Sequence, residues 1–337
     1  MARSSAPGLL IALAVLIAAL ALALTVGRYP AGIGDLFNLI AAKLTGHASG
    51  VPAAATDVLL RVRGPRVLAA VMVGAALAVA GTTFQGLFRN PLVSPDLLGA
   101  SSGAAFGAVL GIYFSLDVFA IEACAFAGGL VAVGAVYAIG SAMRARDPIL
   151  VLVLTGVVIG ALLGSGVGLV KYIADPYNQL PAITFWLLGS LAAITASDLW
   201  PLFGPVALGT LVLVALRWRM NVMSLPDEEA RALGLPTGPL RVVIIAAATL
   251  VTSASVATAG IIGWVGLVVP HIARTLVGPD FARLLPVAAL LGGGFLLAID
   301  TLARTATATE IPLGILTALV GTPFFIWLLA GMSKTWS

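Results

Sequence analysis

Residues 81–99 read GTTFQGLFRNPLVSPDLLG. An apolar run halts at Arg89-Asn90-Pro91, passes Pro95 and Asp96, and turns apolar again. Proline cannot continue a helix interior, and it biases the residue before it away from the helical region. Two prolines with an arginine and an aspartate therefore predict a turn in water between two long apolar segments.

The rest of the chain identifies the solvent on either side of that turn. Of 337 residues 60% are apolar and 9% charged, with a mean hydropathy of +1.10, far from the averages of water-soluble domains. No stretch free of long apolar runs is long enough for a separate soluble domain. Residues 1–337 thus read as one transmembrane domain. The single cysteine, Cys124, lies in an apolar run and excludes a disulfide frame or thiolate metal cluster. A net charge of +4 without a basic stripe interleaved with aromatics argues against nucleic acid. The apolar stretch after Arg3 is longer than a signal-peptide core and lacks a small-residue cleavage site, so it reads as the first span.

A span needs about 20 mostly apolar residues. That ruler gives ten: 9–27, 66–88, 93–112, 118–141, 148–171, 198–216, 241–259, 261–277, 283–302 and 312–331. LPAITFWLLGSLAAI (180–194) is too short to cross and reads as a half-helix or interfacial helix. With the N-terminus inside, the cytoplasmic basic set is Arg3, Arg89, Arg144, Arg146, Arg217, Arg219, Arg231, Arg241, Arg274, Arg283 and Lys334. The outer set is smaller, with Arg28, Lys43, Arg61, Arg63, Arg66, Lys171 and Arg304, so both termini read as cytoplasmic. Trp200, Trp218, Trp264 and Trp327 lie near segment ends, as an aromatic belt requires. The 38 glycines let helices approach closely in a compact bundle.

An internal echo suggests two halves. Gly64-Pro65-Arg66-Val67 opens the second span, and Gly238-Pro239-Leu240-Arg241-Val242 opens the seventh. Each unit continues with Ala-Gly, Gly-Leu and Pro: Ala80, Gly81, Gly86, Leu87 and Pro91 in one, Ala259, Gly260, Gly266, Leu267 and Pro270 in the other. Five spans per half is an odd number, so the halves are expected in opposite orientations, the inverted repeat of many transporters. Broken helices at matched positions would then line the route, because irregular backbone is tolerated only beside a cavity or inside protein.

One segment between spans looks soluble: MNVMSLPDEEARALGLPTGPL after Arg217-Trp218-Arg219. Ser224 or Asp227 can cap a helix, Asp227, Glu228 and Glu229 suit its first turn, and Gly234 with Pro236 ends it. About two turns cannot stand alone, so the bundle or a partner must hold it. Such a helix either simply covers the inner face or carries a contact.

These residues carry a resemblance. RGPR (63–66), AGTTFQGLFRNPLVSPDLLGASSGAAFGA (80–108), FWLLGSL (185–191), EEARALGLP (228–236), AGIIGWVGLVVPHIAR (259–274) and DTLARTATATEIPLGILTALVGTPFFIWLL (300–329) follow one another over nearly the whole chain. The chain resembles the iron-chelate, haem and cobalamin family of ABC importer permeases, the type II importers. That resemblance implies an all-α integral membrane fold in the bacterial inner membrane, a homodimer of ten-helix subunits with the pathway on its two-fold axis. It also implies two ATP-binding cassette subunits below, which use ATP and Mg, and a periplasmic substrate-binding protein above.

The resemblance further implies site residues. Asn90, Pro91 and Leu92 match the cytoplasmic gate; the residues alone support only a turn with a snorkelling Arg89. Where the cobalamin relative has small hydroxyl residues at a second constriction, this chain has Pro148-Ile149-Leu150, so no second gate is assigned. Asp227, Glu228, Glu229, Ala230, Arg231, Ala232, Leu233 and Gly234 match the helix that couples to the ATPase. The chain itself has no Gly-x-x-x-x-Gly-Lys-Ser/Thr to cradle ATP, and no catalytic role is expected. Arg63, Arg66 and Arg304 match positions that meet acidic residues of the binding protein, although Asp300 and Glu310 stand close enough in sequence to satisfy Arg304 instead.

The cargo is less legible. The two histidines, His47 and His271, stand without a Cys, Asp or Glu cluster, so no protein-bound metal or cofactor is expected. An iron chelate (ferric siderophore or haem) or cobalamin would pass with its metal already coordinated. Lys171, Asp175, Tyr177, Asn178 and Gln179 could touch it at the outer mouth, or form a bare loop. A small oxyanion such as molybdate is the alternative cargo on the same architecture. An ion-coupled secondary transporter is disfavoured, because the spans hold only Glu122 and Asp300, both near ends, as acidic groups for a coupling ion.

Overall fold

The computed structural model describes residues 6–27, 29, 32–46, 50–143 and 148–333. Proline, glycine and the small polar residues around them divide this chain into helices of very unequal length. In order these are α1 (Ala6–Thr25), α2 (Ile33–Thr45), α3 (Ala53–Asp57), α4 (Gly64–Leu87), α5 (Ala100–Tyr113), α6 (Val118–Ala142), α7 (Pro148–Ile173) and α8 (Gln179–Leu188). After these come α9 (Leu199–Ala215), α10 (Arg217–Met223), α11 (Asp227–Ala232), α12 (Thr237–Ala259), α13 (Val265–Val277), α14 (Phe281–Thr305) and α15 (Leu313–Ser333).

Among the described residues six helices are long and apolar enough to cross a membrane: α1, the continuous run Ala53–Leu87, α6, α7, α12 and α14. α9 and α10, joined across a 64° bend, pass the same test when taken together, and α5, α13 and α15 are shorter apolar helices. Each of these ten falls on one of the ten segments expected from sequence. Two boundaries differ for a stated reason. The 93–112 segment becomes a 3₁₀ turn at Pro95–Leu98 and a helix only from Ala100, because Gly99 is left-handed at φ 79°. The 261–277 segment becomes helical only at Val265, since Gly260 and Trp264 both adopt φ 69°. The 180–194 half-helix is α8, stopped at Gly189 with φ 72°. Hydropathy alone does not find α2, which carries polar residues along its length, nor the π-helical stretch Val58–Arg63 that fuses α3 to α4.

The two-half architecture appears in helix order. α1, α4, α5, α6 and α7 have 20, 24, 14, 25 and 26 residues, and α9, α12, α13, α14 and α15 have 17, 23, 13, 25 and 21. In each half a long helix breaks into a short one, then two long ones follow. The Gly-Pro pairs fall in the first turns of α4 and α12, as expected of a repeat. The Ala-Gly echo does not superpose: Ala80-Gly81 lies inside α4, whereas Ala259 ends α12 and Gly260 breaks it. Gly81 and Gly260 thus serve different needs, close packing in one case and a left-handed backbone in the other.

α4 is the axis of the chain. Its span is 78% buried against 17% for α7, because α4 packs on α9, α12, α13 and α14 while α7 turns Leu154, Val158 and Leu162 outward. Close approach of backbones makes this possible: a Cβ on Gly74 would stand 2.2 Å from Gly292 O, and one on Gly81 would stand 1.9 Å from Gly266 O. In a bilayer, where lipid is as apolar as leucine, such packing replaces water exclusion as the force between helices. Trp200, Trp218 and Trp327 are exposed, whereas Trp264 sits in the helix break.

Candidate functional site

The turn at 88–99 closes α4 at the end the charge reading calls inner. The last turn of α4 forms a Schellman cap: the Asn90 N–H donates to Gln85 O at 3.1 Å and that of Arg89 to Gly86 O at 3.2 Å. The cap needs a left-handed residue, and Arg89 takes it at φ 51° where glycine is usual. A side chain there costs about 1–2 kcal/mol. Asn90 Oδ1 then accepts from the Leu92 N–H at 2.9 Å, and Ser101 on α5 donates to Asp96 Oδ1, pinning the 3₁₀ turn to α5. Asn90, Pro91 and Leu92 thus stand on an exposed, well-tied turn.

Behind the turn lies an arrangement that the sequence reading missed. Pro270 has no N–H to donate to Gly266 O one turn earlier. The buried Gln85 amide instead reaches from α4, its Nε2 donating to Leu267 O at 3.3 Å and to Gly266 O at 3.4 Å. That fixes its Oε1 to accept from Arg274 Nη2 at 3.1 Å. The signal was present, since a glutamine inside an apolar helix and a proline on the next one both require partners.

The soluble-looking segment forms α11, and the structure corrects its start. Pro226 precedes the helix and no side chain caps it: Ser224 donates back to Met220 O, and Asp227 accepts from Arg241 Nη2 with both oxygens at 2.8 Å. Arg241 is buried at the start of α12, so this pair clamps α11 to the bundle. A second tie is Arg231 Nε to Thr237 Oγ1 at 3.1 Å. Gly234, at φ 83°, ends α11 in a Schellman motif through Leu235 N–H to Ala230 O at 3.1 Å. Ala230 is buried, whereas Glu228, Glu229, Arg231, Ala232 and Leu233 face outward.

At the opposite end the structure revises the expectation for Arg63, Arg66 and Arg304. They are 4%, 7% and 9% exposed, so they are turned into the chain. Arg66 grips Asp300 and Glu310, with Nη2 at 2.9 Å from Asp300 Oδ1 and 2.8 Å from Glu310 Oε2. Arg304 donates to Ala23 O, while Arg63 donates to Leu24 O and Tyr29 O, both at 2.6 Å. Asp300 and Glu310, which stood close enough in sequence to satisfy Arg304, pair chiefly with Arg66, while Arg304 keeps Asp300 at 3.8 Å. A 230 Å³ cavity beside them leaves the Glu310 side chain one-third exposed.

In the loop after α7, Asp175 accepts from the Asn178 N–H at 2.7 Å, and Gln179 Nε2 donates to Tyr113 O at 2.8 Å. Two of the five candidate cargo contacts are therefore spent on holding the loop, while Tyr177 and Asn178 remain exposed. His271 packs edge-on against Phe324 at 6.2 Å. His47, Arg3, Arg28, Arg144, Arg146 and Lys334 lie outside the described residues.

Comparison with known proteins bears on this geometry. A model of the FecCD transport family matches residues 15–331. The chain is 38% identical over 326 residues, 96% of each chain, to the molybdate import system permease protein MolB of Haemophilus influenzae. It is 43% identical over 281 residues, 83% of this chain and 75% of the relative, to the cobalamin import system permease protein BtuC of Halobacterium salinarum. A solved structure reported as a metal-chelate type ABC transporter in an inward-facing conformation is similar with a TM-score of 0.85 at 36% identity, covering 96% of this chain and 98% of that one.

Proposed function

The chain belongs to the FecCD transport family and is a multi-pass permease of an ABC importer, and from that premise we propose how it works. It is the membrane-spanning subunit of an ATP-driven importer in the bacterial inner membrane, with both termini in the cytoplasm. It pairs with a second copy of itself, two ATP-binding cassette subunits dock beneath, and a periplasmic binding protein delivers cargo from above.

The observation that carries this reading is α11: a six-residue helix clamped to α12 at Asp227 while Glu228, Glu229 and Leu233 point outward. A helix so short is not self-sustaining, so force applied to it is passed through the Asp227–Arg241 pair into α12 and the break at Gly260–Trp264. Pairing is supported by an apolar groove of 670 Å³ along Leu188, Ile261, Trp264 and Leu319, a surface that a second copy would cover. The gate at Asn90, Pro91 and Leu92 is supported by the exposed turn they share. For docking of the binding protein, support narrows to the rim of the arginine cluster at Glu310.

An iron chelate, haem or cobalamin is the cargo we propose, supported by the relative named for cobalamin and by the metal-chelate type structure. A small oxyanion is the second reading, favoured by near-complete overlap with the relative named for molybdate. Proteoliposomes holding the chain, its ATPase and its binding protein test both, with labelled ferric siderophore, haem, cobalamin and molybdate offered in competition. ATP-dependent uptake of one class assigns the cargo. Uphill accumulation by the chain alone would overturn the reading.

A further inference from the structure

We infer that the cavity at the inner end of α4 receives a carboxylate side chain from the ATP-binding cassette partner, an inference that rests on the reading of α11 as a docking helix. The cavity has a volume of 280 Å³ and is lined by Arg89, Arg274, Asn90, Ser224 and Phe281, with no acidic residue in its wall. Arg89 makes no hydrogen bond or ion pair among the described residues beyond its backbone cap. Arg274 has the neutral Gln85 amide as its partner. Asp280, the acidic residue in the neighbouring turn, is already engaged by Asn221 at 2.7 Å and Arg283 at 3.7 Å. Two guanidinium groups therefore share a concave site without a counter-charge, and the planar forks of arginine suit a bidentate carboxylate.

The position of the cavity selects the source of that carboxylate. Its walls come from the turn at 89–91, from Ser224, from Pro279 with the start of α14, and from helical residues that include Arg274 of α13. Ser224 is three residues from Asp227, which opens α11. A protein seated on α11 overhangs the cavity, and the two features carry opposite charge: exposed Glu228 and Glu229 on the helix, Arg89 and Arg274 beside it. A partner surface must then be basic opposite α11 and acidic opposite the cavity, an order of charges that fixes register. The left-handed backbone of Arg89 fits this role, since glycine would close the turn but supply no cation.

The test uses the full chain co-expressed with its ATP-binding cassette subunit. Affinity of the purified pair is measured across salt for Arg89→Gln, Arg274→Gln, the double variant, and Glu229→Lys on α11. The double variant is expected to weaken assembly about ten-fold at low salt and to flatten its salt dependence, while Arg89→Lys keeps the salt slope and, lacking the planar fork, only part of the affinity. Arg89 is exposed and its side chain makes no hydrogen bond or ion pair among the described residues, so Arg89→Gln reports on docking even where Arg274→Gln disturbs the bundle. Wild-type affinity and salt slope in Arg89→Gln and the double variant would overturn the inference. If Glu229→Lys then weakened assembly, the reading of α11 would stand alone; if no variant did, that reading would fall as well. Loss of bound phosphatidylglycerol in native mass spectrometry, with assembly unchanged, would likewise overturn it in favour of a lipid headgroup site.

Discussion

Arg66 on α4 and Asp300 on α14 lie 234 residues apart in sequence and meet through three donor contacts, Nε to both carboxylate oxygens at 3.0 and 3.1 Å and Nη2 to Oδ1 at 2.9 Å. One residue belongs to each half of the chain, so the pair is the charged seam between them at the outer end. Removing one partner of a buried ion pair strands the other charge and costs about 3–5 kcal/mol. Asp300→Ala is expected to lower the melting temperature in detergent strongly. Arg66→Met with Asp300→Leu and Glu310→Gln should recover part of that loss, since it removes the carboxylates that Arg66 grips, and failure to recover any would mean the charges themselves are needed.

Gly81→Ala is expected to separate α4 from α13, because its Cβ would fall 1.9 Å from Gly266 O. Overpacking of this kind costs about 1–3 kcal/mol. Gly168→Ala on α7, with nothing within 4 Å, should be neutral or slightly stabilising. Equal thermal stability of the two variants would remove the close-packing argument.

Gln85→Leu deprives Gly266 O and Leu267 O of the Gln85 amide donor and Arg274 of its acceptor. The expected loss is about 1–3 kcal/mol. Hydrogen exchange should rise around Pro270 on α13 while α7 exchanges as before; unchanged exchange at α13 would show that the glutamine is dispensable there.

Asp227→Ala frees α11 from α12 and leaves Arg241, 6% exposed, without its carboxylate. Stimulation of ATP hydrolysis by cargo-loaded binding protein should fall about ten-fold or more, following a local loss of about 3 kcal/mol. Capture of the binding protein at the outer face should persist. Normal stimulation would sink the mechanical role assigned to this clamp.

Gly234→Ala places a Cβ on a left-handed residue and should cost about 1 kcal/mol, confined to α11. Space is free around that position, so any larger loss, read by melting, would indicate a contact beyond the backbone conformation.

The ten apolar segments, their five-and-five order and the isolated acidic helix were all legible in the residues, because a bilayer demands long runs of one polarity from the elements that enter it. Two other elements were not. α2 falls below the hydropathy ruler, and the fusion of α3 with α4 depends on a π-helical stretch that no residue pattern announces. Turn chemistry was half legible: Gly234 and the two prolines after Arg89 marked real stops, but Ser224 and Asp227 looked like caps and proved to be spent elsewhere. Capping is a contest among partners, and the buried Arg241 outbids the helix end for Asp227.

By itself the sequence determined the solvent, the spans and the family, since these follow from local composition and from ordered motifs along one chain. Only the tertiary structure decided what its charges do. Arg63, Arg66 and Arg304 read as an outward-facing docking set, yet they close on Asp300, Glu310 and the carbonyls at the end of α1. Gln85 read as one polar residue in a long apolar run, yet it completes the backbone that Pro270 leaves open and aims Arg274. A charge at a membrane boundary takes whichever partner is near in space, and distances across a bundle are set by the meeting of α4 with α13 and α14, which no single stretch of residues encodes.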